Sequence, residues 1–168
     1  NKRCYKSPFS KNVLIAILTV ALVCTTAAMA VFVVLWNKTA TTTTALPSQC
    51  SSYLAINDAT TVYSYYCSGC YTDCAKSVAW YRVVGSSGTQ LYDRAPNQGY
   101  CGTNYAAYYM GTSPTYYGQT VTGTVCTFYS TNVCYWSTTI SVTNCGTYYV
   151  YYLPQAPGCN NYVRYCTM

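Results

Sequence analysis

The sequence predicts an all-β fold class: a disulfide-rich small antiparallel β domain preceded by one long N-terminal hydrophobic α-helix of the transmembrane type. Three observations predict it. Residues 12–36 form an apolar run without a charge, ten of the twelve cysteines fall after it, and from Cys50 onward the composition turns to Tyr, Thr, Val, Ser and Gly. An uncharged run of this length suits a bilayer-crossing helix. An even set of cysteines suits a bridged exported domain, and β-branched and aromatic residues broken by glycine suit short strands joined by turns.

Residues 1–11 read as a basic cytoplasmic tail. Lys2, Arg3, Lys6 and Lys11 precede the apolar run with no acid among them, and only Lys38 follows closely, so the excess of positive charge holds the amino end inside. The same charges attract anionic lipid. Cys4, set among them, is a candidate for palmitoylation or an idle cytosolic thiol. Residues 12–36, from Asn12 to Trp36, would form a helix about 37 Å long at about 1.5 Å per residue, enough for a hydrocarbon layer of about 30 Å. Thr19, Thr25 and Thr26 fit there because each hydroxyl bonds back to a carbonyl of the preceding turn, and Trp36 falls at the interface. Other readings stay open: cleavage after the small-residue pattern Ala28-Met29-Ala30, or packing of the helix with copies of itself in a filament core.

Residues 37–49 read as a stalk. Asn37-Lys38-Thr39 is an N-glycosylation acceptor. Thr39, Thr41, Thr42, Thr43 and Thr44, followed by Pro47 and Ser48, suit O-linked sugars or a plain extended spacer.

Residues 50–168 read as a cysteine-rich β ectodomain. Cys50, Cys67, Cys70, Cys74, Cys101, Cys126, Cys134, Cys145, Cys159 and Cys166 make ten sulfurs, expected as five bridges whose pairing the sequence leaves open. Strands are expected at Thr61 to Cys67, Val78 to Val84, Gln90 to Asp93, Gly123 to Tyr129, Cys134 to Thr143 and Thr147 to Leu153. Alternation is clearest where Trp136, Ile140 and Val142 point one way and Ser137, Thr139 and Ser141 the other. Residues 85–88, 95–99 and 154–158, rich in Gly, Pro and Ser, read as turns or loops.

The chemistry is sparse. The chain has no His and no Glu, and its acids are Asp58, Asp73 and Asp93, far apart in sequence. A Ser-His-Asp or Cys-His relay cannot be built from these residues as usually found, and no enzyme activity, metal or cofactor is expected. The spacing of Cys67, Cys70 and Cys74 would suit zinc or a redox pair, but oxidation to disulfides removes the thiolates a metal needs. After the stretch 12–36, Lys38, Lys76, Arg82, Arg94 and Arg164 nearly balance the three acids, so there is no clustered basic footprint for nucleic acid.

Tyrosine is the unusual residue, with 22 in the chain. Tyr65-Tyr66, Tyr108-Tyr109, Tyr116-Tyr117, Tyr148-Tyr149 and Tyr151-Tyr152 are adjacent pairs. Neighbours on a strand point to opposite faces, so a pair cannot be wholly core; these rings are expected to supply an interaction surface, the alternative for any one ring being that it replaces an aliphatic in a small core braced by disulfides. The expected partners are membrane lipid, copies of the chain, other cell-surface proteins or glycans.

Several stretches resemble one family in one order. Ala79-Trp80-Tyr81-Arg82-Val83-Val84-Gly85 is followed by Cys101-Gly102-Thr103, Met110-Gly111-Thr112-Ser113-Pro114, Val125-Cys126 and Cys134-Tyr135-Trp136. Then come Cys145-Gly146-Thr147-Tyr148-Tyr149-Val150-Tyr151-Tyr152-Leu153, Pro157-Gly158-Cys159 and Tyr165-Cys166-Thr167. These landmarks resemble the eight-cysteine extracellular domain of the uromodulin family, from roughly Cys50 to Cys166. Members commonly have adjacent cysteines where this chain has only Cys134, and some carry a glycosylated Asn where it has Met110. The family's polymerising module does not appear either, so assembly is expected through the domain, the stalk or the helix. Taken together, the apolar run, the Thr-rich stalk, the many tyrosines, the low charge and the lack of catalytic residues lead to the expectation of a non-enzymatic, membrane-anchored structural glycoprotein, a subunit of a cell-surface filament, coat or complex, at a cell membrane or in an extracellular filament. An adhesion or carbohydrate-binding module and an auxiliary subunit of a channel or receptor are the alternatives.

Overall fold

The computed structural model describes residues 45–159 and 162–168. Its longest feature is a hairpin of β4 (Thr120–Tyr129) and β5 (Asn132–Asn144), closed by a turn at Ser130 and Thr131, with Ser130 at φ 56°. Alternation sets the register: Val121 lies opposite Val142 on the inner face, while Thr122 opposite Ser141 and Thr124 opposite Thr139 lie on the outer face. On one side β6 (Tyr149–Leu153), β2 (Ala79–Val83) and β1 (Leu54–Ile56) extend the sheet. On the other side come β3 (Tyr105–Tyr109) and β7 (Val163–Tyr165), giving a seven-stranded sheet in the order β1-β2-β6-β5-β4-β3-β7. Short 3-10 turns lie at Ser48–Cys50, Ala59–Thr61 and Gly85–Ser87.

The core lies on the inner face. Val83, Val125, Ile140, Val142, Leu153 and Val163 pack there with Tyr81, Tyr109, Tyr151 and Tyr165, all at most 5% exposed. Buried phenols are tolerable because a hydroxyl at the rim of the core finds a backbone carbonyl. Tyr81 donates to Ser77 O at 2.8 Å, Tyr165 to Pro154 O at 3.0 Å and Tyr109 to Thr112 O at 3.2 Å. Tyr109 occupies a slot made by two missing side chains: a Cβ at Gly111 or Gly123 would lie 2.2 or 2.3 Å from its hydroxyl oxygen.

The structure corrects the expected fold class. Among the described residues there is no α-helix, and no helix is long and apolar enough to cross a membrane. The stretch 12–36 on which the long helix was expected lies outside the described residues, as do Cys4, Asn37, Thr39, Thr41, Thr42, Thr43 and Thr44. Nor is the sheet purely antiparallel. β1 runs parallel to β2, and β7 parallel to β3, because long connections separate each pair and leave its direction free.

Local expectations shift for similar reasons. The strand expected from Thr61 to Cys67 is absent: Asp58 caps the turn Ala59–Thr61, its Oδ1 accepting from Thr60 N at 2.9 Å, and the chain then pairs with other segments through isolated bridges at Val62 and Tyr66 rather than along a ladder. Gln90 to Asp93 shrinks to a single bridge at Leu91. The strands β1, β3 and β7 were not expected; at three to five residues each, they are too short to show a period.

Candidate functional site

The ten outer cysteines pair as Cys50–Cys145, Cys67–Cys70, Cys74–Cys159, Cys101–Cys166 and Cys126–Cys134. Their placement ties the loops to the sheet. Cys50–Cys145 ties the turn Ser48–Cys50 to the end of β5, Cys74–Cys159 joins the segment before β2 to the one before β7, and Cys101–Cys166 fastens the loop ahead of β3 to the residue after β7. Cys126–Cys134 crosses the β4–β5 hairpin, and Cys67–Cys70 closes a loop within a single segment. No disulfide leaves a thiol for a metal here, and no group of three or more His, Cys, Asp or Glu suited to one exists among the described residues.

The adjacent tyrosines divide into three sorts. Tyr65, Tyr66, Tyr116 and Tyr117 are exposed on loops, Tyr116 the most at 75%. Tyr151 is buried and Tyr152 exposed, the expected split across a strand. Tyr108 and Tyr109 correct the expected surface, since both are at most 3% exposed. Tyr109 lies in the glycine slot, and the Tyr108 hydroxyl donates to the carbonyl of Val133. Both faces of β3 are therefore covered. Tyr148 and Tyr149 are half-buried, the Tyr148 hydroxyl donating to Cys50 O at 2.5 Å. Sequence reasoning also passed over exposed Tyr63, Tyr71, Tyr129, Tyr135 and Tyr162. None stands in an adjacent pair; Tyr63, Tyr71 and Tyr162 lie outside the strands, while Tyr129 and Tyr135 lie near the tip of the β4–β5 hairpin.

Across β6, β5 and β4 the described patch of the outer face carries no charge, and Arg82 is the cation beside it on β2. Trp80, Tyr152, Ser141 and Thr122 stand in register across β2, β6, β5 and β4, with Thr124 opposite Thr139 one step along. Trp80 and Tyr152 pack at 5.4 Å between centroids. Beside them a shallow cavity of about 380 Å³ is lined by Ser52, Tyr53, Leu54, Ala79, Trp80 and Tyr152. Arg82, a cation nearby, is held on tyrosine rather than on an acid. Its guanidinium carbon lies 3.7 Å from the centre of the Tyr148 ring, and its Nη1 donates to Tyr53 Oη at 2.9 Å.

Two of the three carboxylates converge on one cation. Arg164, 6% exposed, donates to Asp58 Oδ2 at 2.5 Å and to Thr60 Oγ1 at 2.7 Å, lies 3.7 Å from Asp73 Oδ1, and sits against the Tyr71 ring. Lys76 is also 3.7 Å from Asp73, whose Oδ2 accepts from Tyr165 N at 3.1 Å. Burial pushes the Asp58 carboxyl up, but hydrogen bonds from Thr60 and Arg164 and the charge of Arg164 outweigh it and hold the group at about 2. At Asp73 burial wins over the charges of Lys76 and Arg164, and the carboxyl is raised above its ordinary 3.8. Both acids are thus occupied in joining the capped turn, the segment before β2 and β7. Neither faces open space with a second acid as a partner, the arrangement glycoside chemistry needs.

Part of the chain matches known proteins. The family model of the uromodulin-like eight-cysteine domain matches residues 81–167. The chain is similar to the pancreatic secretory granule membrane major glycoprotein GP2 of Homo sapiens, 35% identical over 97 residues, covering 56% of this chain and 18% of that protein. It is also similar to uromodulin of Rattus norvegicus, 35% identical over 89 residues, covering 52% of this chain and 14% of that protein. The chain thus spans less than a fifth of the length of the relatives it matches. The location expected from the sequence, at a cell membrane with an extracellular domain or in an extracellular filament, agrees with these relatives.

Proposed function

Because this chain belongs to the uromodulin-like eight-cysteine domain family, we propose that it is a non-enzymatic extracellular structural glycoprotein whose β domain associates with copies of itself. The observation that carries this reading is the outer sheet face. Trp80, Tyr152, Ser141, Thr122, Thr124 and Thr139 present rings and hydroxyls with no charge among them. Such a face lacks the repulsion that keeps copies apart, and desolvating aromatic rings favours contact. The absence of His and Glu, with Asp58 and Asp73 both held by Arg164, supports a structural role over a catalytic one. Glycosylation is proposed at Asn37 and across Thr39, Thr41, Thr42, Thr43 and Thr44, in line with the word glycoprotein in the name of one relative.

The test places charge at the centre of the face. Tyr152→Glu combined with Thr139→Glu would set like charges against one another in any assembly built on it. Light scattering of the full-length protein should then report a fall to the mass of single chains, with the β signature in circular dichroism retained. Particles of unchanged mass would remove this face from the assembly.

A further inference from the structure

A groove built by the loops on either side of residues 63 and 92–100 has the makings of a ligand site. It is lined by Tyr63, Ser64, Tyr92, Ala95, Pro96, Asn97 and Tyr100, with a volume of about 350 Å³. That lies within the roughly 300–1,000 Å³ usual for small-molecule sites. Tyr63 and Tyr92 stack with centroids 4.9 Å apart and planes 2° apart, and Tyr63, 47% exposed, keeps ring surface open to a ligand. Tyr100 stands edge-on to Tyr66 at 5.4 Å.

The walls come from three segments held by one buried post. Tyr63 N donates to Thr167 O at 2.9 Å, Tyr92 N donates to Cys166 O at 2.9 Å, and Tyr100 precedes Cys101, which is bonded to Cys166. Val62 and Leu91 both form bridges to Thr167. Cys166 and Thr167 are fully buried. The rings are therefore positioned before any ligand arrives, which lowers the ordering cost of binding.

The polar groups in the groove are unspent. Among the described residues the hydroxyls of Tyr63, Ser64, Tyr92 and Tyr100 and the side-chain amide of Asn97 make no hydrogen bond. No lining residue is charged, and at the rim Asp93 and Arg94 neutralise each other at 3.3 Å. Flat rings beside a planar amide and several hydroxyls, without net charge, match the C–H face and hydroxyl fringe of a neutral pyranose. We propose that this groove binds neutral saccharides. An anionic sugar would find the rim guanidinium already paired, and a proline-rich peptide would leave the amide and hydroxyls unpaired. The proposal does not rest on self-association, because the groove lies on residues 63–64 and 92–100 rather than on the outer sheet face.

The test titrates the full chain with mannose, galactose and N-acetylglucosamine trisaccharides, and with a proline-rich peptide, by ligand-detected NMR. At least one trisaccharide should bind saturably. Tyr63→Ala and Asn97→Ala should each weaken it by about tenfold, the scale of one lost stacking or hydrogen-bonding contact. The Asn97 side chain is exposed and unbonded, so Asn97→Ala keeps the fold and guards the result against unfolding of Tyr63→Ala. No saturable binding by any trisaccharide, equal binding by both variants and the parent, or binding of the peptide alone would overturn the proposal.

Discussion

Arg164 shows how much of the molecule hangs on single side chains. Its exposure is 6%, and it gathers Asp58, Asp73, Thr60 and the ring of Tyr71, so three segments distant in sequence meet at one guanidinium. The acid Asp58 carries the pH dependence of that junction. Its folded-state value of about 2 lies below the ordinary 3.8, so its contribution to stability is complete above about 3.8 and is lost as pH falls towards 2. Asp73 acts in the opposite sense, because burial lets the folded state hold its proton above 3.8. Denaturant midpoints should therefore fall between pH 4 and pH 2 in the parent. Asp58→Asn should be less stable at pH 7 and lose less across that interval. An identical slope in the two proteins would show that Asp58 does not set it. Nothing in the sequence marks these residues as neighbours, since Asp58 and Arg164 are 106 positions apart. The glycine slot around Tyr109 is equally hidden: Gly111 is only a landmark of the resemblance and Gly123 only the start of an expected strand, and the fold alone brings both against the ring.

The elements most readable in sequence are those with sustained alternation. β5 was expected from Cys134 to Thr143 and runs Asn132–Asn144, because enough residues alternate for the period of two to be visible. β1 and β7 have three residues each, and only parallel pairing with β2 and β3 makes them strands. The bridges act on the same scale. Cys101–Cys166 spans 65 positions and Cys67–Cys70 only 3, so chain-entropy reasoning gives about 4 kcal/mol for the first and about 2 kcal/mol for the second. Replacing Cys101 and Cys166 together by Ser should lower the unfolding free energy by about 2 kcal/mol more than replacing Cys67 and Cys70. Equal losses in urea titrations would show that the short loop braces the fold as strongly as the long one.

The described part of the molecule carries four cations, Lys76, Arg82, Arg94 and Arg164, against three acids, Asp58, Asp73 and Asp93. Association through the outer face, where Arg82 is stacked on Tyr148 and the neighbouring residues are uncharged, should therefore survive rising salt. Sedimentation of the full chain from low to near-molar sodium chloride should show constant or slightly larger particles, since screening has little charge to act on. Dissociation by salt would point to ion pairs as the contacts. Composition by itself determined the β character, the poverty of catalytic groups and the use of sulfur as bracing, because residue type and count suffice for those. Tertiary structure alone decided the rest. It set which cysteines pair, that Tyr108 and Tyr109 are buried while Tyr116 and Tyr117 stand out, and that Tyr63, Tyr92 and Tyr100 share a groove. Burial and adjacency depend on how distant segments cross, and a sequence period records only the face a residue takes on its own strand.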